Sequence, residues 1–275
     1  MIKKILILLI TFTLILSFTL FGCKEEVAEE EVTEEEAAEE EETIEEEAEA
    51  TDEESVQEET EETAEEIKLQ ASEGEVSFKT EDGININGNI FGTGNKWIIL
   101  SHMYPTDQTS WFDFAQYLAE NGYIVLTYDF RGYGKSGGSR DISNIDKDLE
   151  AAIVFISQYD SEKIFLMGAS MGGTASLIVA AREYIDGVIS LSSPDEMDSL
   201  SALDEVEDID APILFIASQG DEDAAASAES LFDMSLEPKE IEILDGNSHG
   251  TFIFEEEPEN GEIVKQLVLD FLDSN

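Results

Sequence analysis

Five short runs of the chain, residues 97–100, 123–128, 164–167, 188–191 and 213–217, are almost wholly apolar. They are too short for helices and lack the alternation of a strand with one wet face. A continuous apolar run is what a strand needs when helices cover both faces of its sheet. Segments of helical length and pattern follow most of these runs, near 111–121, 145–158, 174–181 and 224–234. A further strand pattern at 240–244 leads to a last helix near 262–272. Such alternation predicts an α/β fold, a mainly parallel twisted sheet with helices on both faces. Residues 76–90 alternate around Asp82-Gly83, as an opening antiparallel hairpin would. Sheets of this kind bind ligands beyond the carboxyl ends of their strands, so chemistry is sought there.

One strand end stands out. Gly168-Ala169-Ser170-Met171-Gly172-Gly173 joins the apolar run 163–167 to the small, apolar helix pattern that follows. G-x-S-x-G in that context is a nucleophile elbow, a turn too sharp for a Cβ at its glycines, with the serine hydroxyl at the tip. The Met171 amide, opening the next helix, can point at an oxyanion. A serine needs a base, and the chain has two histidines, His102 and His249. His249 lies in a polar loop, 245–250, after the strand pattern at 239–244. A carboxylate must then orient the imidazole. Gly220-Asp221-Glu222-Asp223 offers three after the run 212–217, and Asp195 follows the run 187–192. After residues 97–100 comes Ser101-His102-Met103-Tyr104-Pro105, placed to supply a second oxyanion amide. After 123–128 comes Asp129-Phe130-Arg131-Gly132-Tyr133-Gly134-Lys135-Ser136. Its glycines allow a tight loop, which an Asp129–Arg131 pair would brace as scaffold. It lacks the G-x-x-x-x-G-K-[ST] spacing of a nucleotide loop.

These motifs, in this order, resemble the serine α/β-hydrolases, of the esterase and dienelactone-hydrolase type, over about 76–272. The resemblance implies an α/β-hydrolase fold and a triad in the order serine, acid, histidine, with Ser170 as nucleophile and His249 as base. The G-x-x-D turn common at this point selects Asp223 as the acid, with Asp221 and Asp195 as alternatives. Many relatives carry His-Gly where this chain has His102-Met103, so Tyr104 is the expected second oxyanion donor, beside Met171, and Met103 the runner-up. His102 is then a structural histidine of the loop. Only about twenty residues separate 191 from 213, too few and too polar for a large cap domain. The open pocket would be walled by Tyr104, Trp111, Met171 and Met197. The expected activity is hydrolysis of a small-molecule ester or related acyl compound through an acyl-enzyme, with no cofactor and no metal. Peptidase, amidase or acyltransferase activity is the alternative within the fold, and a non-catalytic surface lipoprotein the alternative outside it.

The N-terminus has another character. Lys3 and Lys4 precede an apolar stretch, 5–21, that ends at Gly22-Cys23. That is the layout of a secretory signal, and its end resembles the lipobox of bacterial lipoproteins, with Cys23 as the lipidated residue. An uncleaved anchor is the alternative. Residues 1–23 are thus assigned as signal, 24–70 as a Glu-rich tether and 71–275 as the hydrolase domain. Of the chain's 65 Asp and Glu, 25 fall in residues 25–66, a composition that cannot bury enough apolar surface to fold and that self-repulsion extends. Expected localisation is extracytoplasmic, membrane-anchored through the N-terminus. Cys23 is the only cysteine, so the domain owes nothing to disulfides. Residues 67–275 still hold 40 acidic against 11 basic side chains, which disfavours nucleic acid and polyanionic substrates as partners.

Overall fold

The computed structural model describes residues 68–275; the signal segment, Cys23 and nearly all of the tether lie outside them. The chain enters through a hairpin, β1 (Gly74–Lys79) and β2 (Asn85–Phe91), paired antiparallel about the turn at Asp82-Gly83. Then follow β3 (Lys96–Ser101), α1 (Phe112–Glu120), β4 (Ile124–Tyr128), α2 (Ile145–Ile156), β5 (Lys163–Ala169), α3 (Met171–Ala180) and β6 (Gly187–Leu191). A small antiparallel ribbon, β7 (Glu196–Met197) and β8 (Leu200–Ser201), precedes β9 (Ile213–Ser218), α4 (Glu222–Met234) and β10 (Lys239–Leu244). The chain closes with α5 (Phe252–Glu256) and α6 (Pro258–Ser274). The eight-stranded sheet runs β1-β2-β4-β3-β5-β6-β9-β10, parallel from β4 to β10.

Strand alternation divides the core in two. Trp97, Ile99, Leu126, Tyr128, Leu166, Val188 and Phe215 face one side, where they pack with residues of α2, α3 and α4. Ile98, Leu100, Val125, Phe165, Met167, Ile189 and Ile216 face the other, with residues of α1, α5 and α6. Successive Cβ atoms of a strand point to opposite faces, so uniformly apolar runs can feed both layers. α3 is buried at every position, which explains why its sequence is small and apolar all round.

Between β6 and β9 there is only the ribbon and one 3-10 turn, Val206–Asp208, so no cap domain covers the sheet's end there. Among the described residues, no helix is long and apolar enough to cross a membrane.

Arg131 does not pair with Asp129, contrary to expectation. Its guanidinium lies between Asp82, 2.9 Å away, and the buried Asp148, 2.7 Å away. Asp129 instead accepts backbone N–H bonds from Gln108 and Lys135. A Cβ on Gly134 (φ +44°) would sit 2.1 Å from the Asp129 carboxylate. The carboxylate therefore folds back into its own turn and ties backbone, which leaves Arg131 to reach across to the hairpin and to α2. Burial pushes the Asp148 carboxyl above its ordinary range despite the adjoining guanidinium.

Candidate active site

β5 ends at Ala169 and α3 begins at Met171, leaving Ser170 alone at the bend with φ 50° and ψ −122°. A non-glycine residue at positive φ costs of order 1–3 kcal/mol and persists only where its surroundings over-determine it. Here they do. The Ser170 N–H donates to Leu191 O on β6, and its carbonyl accepts from the Gly173 and Thr174 amides of the first helical turn. A Cβ on Gly168 would fall 2.1 Å from the Gly172 carbonyl oxygen. One on Gly172 would fall 2.3 Å from Ser101 O and 2.6 Å from His102 O. The glycines thus let α3 start hard against both its own strand and the loop after β3.

His249 arrives from the loop after β10. Pairing between β9 and β10 continues past the strands, with Gln219 N–H donating to Leu244 O and Gly220 N–H to Gly246 O. Ser218 Oγ donates to Ser248 O at 2.8 Å. A Cβ on Gly220 would meet the Asn247 side chain at 2.1 Å. The Glu257 carboxylate accepts the Asn247 and Ser248 amides, bonds that hold its carboxyl below its ordinary range. Gly250, at φ +56°, lies on the elbow: its absent Cβ would be 3.3 Å from Ala169 Cβ and 2.5 Å from Met103 Sδ.

The carboxylate on this histidine is Asp221, with Oδ2 2.6 Å from His249 Nδ1. Asp223 makes no hydrogen bond or ion pair with it. α4 starts at Glu222 and takes Asp223 onto an exposed face of its first turn. Asp195, the other alternative, makes no bond to His249. The lacing of the β9 and β10 loops decides the matter, because it brings residue 221, just outside the helix, opposite residue 249. Among the described residues, neither Ser170 Oγ nor His249 Nε2 has a hydrogen-bond partner; such contacts commonly tighten only with substrate bound.

The loop after β3 completes the cluster. Met103, in place of the glycine that the resemblance gives after His102, is fully buried, its sulfur filling the space Gly250 leaves empty. Tyr104 is exposed. The Met171 and Tyr104 amides have no acceptor among the described residues. Trp111, expected at the pocket wall, is wholly buried and packs on Phe114 and Phe254, so it belongs to the core. Met171 is buried as well, with its sulfur 3.9 Å from the Tyr133 hydroxyl. Met197 is half-buried on the ribbon.

His102 is a buried, fully committed imidazole. Its Nδ1 donates to Met103 O at 3.0 Å and its Nε2 accepts the Phe130 N–H at 3.0 Å. An acceptor at Nε2 and a donor at Nδ1 define the neutral ring, and burial lowers its pKa below the ordinary 6.5. Protonation is therefore easier in the unfolded chain, which takes up protons first as pH falls below about 6.5. Stability from this site is full above that pH and is lost below it, by at most about 1.4 kcal/mol per pH unit. Urea unfolding at pH 7.5 and 5.0 should show a larger acid loss for the wild-type protein than for His102→Asn. Equal losses would contradict the assignment.

A model described as the alpha/beta hydrolase fold matches residues 96–216. The chain is 35% identical over 99 residues to the 2-hydroxy-6-oxononadienedioate/2-hydroxy-6-oxononatrienedioate hydrolase of Escherichia coli, a match covering 34% of each chain. It thus spans about a third of the length of the curated relatives it matches. Among solved structures it is similar to an alpha/beta hydrolase from Penicillium sp. sh18, with TM-score 0.65 and 19% identity, covering 74% of this chain and 99% of that one. An esterase from Pyrococcus furiosus gives TM-score 0.64 and 21% identity, covering 74% and 90%. The enol-lactonase of Burkholderia xenovorans LB400 gives 0.62 and 17%, covering 72% and 100%. Sheet order, elbow and these likenesses agree, and the domain described here has the α/β-hydrolase fold.

Proposed function

We propose that the protein is a serine hydrolase acting on neutral carboxylic esters. The observation that carries this reading is the strained Ser170 at the β5–α3 bend beside a loop that presents His249 already paired with Asp221. Ser170 Oγ attacks the ester carbonyl carbon while His249 Nε2 takes the hydroxyl proton. Met171 N–H and Tyr104 N–H stabilise the oxyanion, and Asp221 holds the imidazole with its proton on Nδ1 and balances the imidazolium. Collapse breaks the ester C–O bond, and the proton on Nε2 passes to the leaving alcohol. Water then attacks the acyl-enzyme, with His249 again as base, releasing the acid and restoring Ser170. No cofactor or metal is needed for any step.

The hydrolase and esterase likenesses support the reaction class. The acidic excess favours uncharged substrates, since an approaching anion is repelled over a Debye length. The missing cap favours an open site. Residues 1–23, read as a lipoprotein signal, and the Glu-rich tether would hold the enzyme outside the cytoplasm at a membrane. The test uses the full-length chain with a fluorophosphonate probe and with p-nitrophenyl acetate, butyrate and octanoate. Covalent labelling together with ester turnover supports the reading, and the chain-length trend sizes the acyl site. Absence of ester turnover, with or without labelling, would defeat it.

A further inference from the structure

We infer that Thr106 and His102 are positioning residues that aim the Tyr104 amide at the oxyanion. This rests on the proposed ester hydrolysis. The Met103 carbonyl accepts two hydrogen bonds, from Thr106 Oγ1 at 2.9 Å and from His102 Nδ1 at 3.0 Å. Both donors are themselves held. The His102 ring accepts the Phe130 N–H and is wedged between Phe130 and Tyr133, each with its ring centroid 5.0 Å away. Thr106 Oγ1 lies 3.2 Å from Ser110 Oγ.

Two bonds on one carbonyl fix its peptide plane. The Met103–Tyr104 bond is trans, since among the described residues the cis bonds are at Tyr104-Pro105 and Glu237-Pro238. In a trans peptide the C=O and N–H point in opposite directions. Pinning Met103 O toward His102 and Thr106 therefore turns the Tyr104 N–H away from them. The preceding plane is set independently: His102 O lies against Gly172 at the start of α3, so the Met103 N–H points away from the elbow helix. Two successive planes thus leave Tyr104, and not Met103, as the loop amide for the elbow side. The clamp also explains how an oxyanion loop can hold its shape with methionine after its histidine.

The test compares Thr106→Val, which keeps shape but removes the hydroxyl, with Thr106→Ser, which restores it, in the full-length chain. Removing an oxyanion donor costs about 10²–10³ in kcat; loosening it while His102 still holds the carbonyl should cost roughly tenfold. KM should change less than twofold. Affinity for an aryl trifluoromethyl ketone, whose serine adduct carries an oxyanion, should weaken by the same factor as kcat. Thr106→Ser should return both to near wild type. Unchanged kcat in Thr106→Val, a kcat loss without a matching loss of ketone affinity, or failure of serine to rescue would each overturn the inference. Absence of turnover in the wild-type protein would instead overturn the ester-hydrolase reading. The clamp is then judged by the Tyr104 amide resonance in NMR, which Thr106→Val should shift and Thr106→Ser should not; no shift overturns it.

Discussion

Ser170→Ala is expected to lower kcat for p-nitrophenyl acetate by about a million-fold, the scale on which serine triads lose activity without the nucleophile. Fluorophosphonate labelling should disappear with it. Folding should survive, and the fold argues why. The bend depends on bonds from the Ser170 main chain to Leu191, Gly173 and Thr174, none of which involves the hydroxyl. Alanine keeps the Cβ and meets the same penalty at φ 50°. The melting temperature should therefore stay close to wild type while turnover vanishes. A variant that retained more than a few per cent of activity would remove Ser170 from the covalent step and end the proposed mechanism.

The second large effect is an asymmetry between two carboxylates two residues apart. Asp221→Asn should cost about 10⁴ in kcat, and Asp223→Asn less than about twofold. The first loss is chemical rather than structural. An asparagine amide can donate to Nδ1, which forces His249 to accept there and moves its proton to Nε2. The ring then cannot take the Ser170 proton. The Asp221 side chain makes no capping bond to α4, so the helix should remain intact. Asp223 is exposed and has no part in the pair. Steady-state kinetics on the two variants decides it; equal effects, or a larger one at 223, would refute the Asp221 assignment.

The strand pattern and the elbow were visible in the residues because each depends on local composition. Buried parallel strands must be apolar throughout, and a strand-to-helix turn of this sharpness admits only glycine at certain positions. Asp221 is not distinguishable from Asp223 in the sequence, because the difference between them depends on where α4 begins and on how the β9 loop is laced to the β10 loop. Neither is encoded in the spacing Gly220-Asp221-Glu222-Asp223. The partners of Arg131 are hidden from the sequence for a similar reason. Sequence proximity suggested Asp129, whereas Asp82 and Asp148 reach it from the hairpin and from α2. α5 is a single short turn that follows directly on the His249 loop, with too few residues to display helical periodicity. Trp111 has the bulk of a pocket aromatic, but only its burial against Phe114 and Phe254 shows that it is interior.

The stitching of residues 218–220 to 244–248 has a mechanical corollary. Acid and imidazole ride on one joined piece of backbone at the sheet's margin, while Ser170 belongs to its centre. Thermal breathing of that margin would carry the two together, conserving their mutual bond and varying only their joint approach to the hydroxyl. Temperature and ligands would then tune reactivity through a single gap, like the stroke of one hinge.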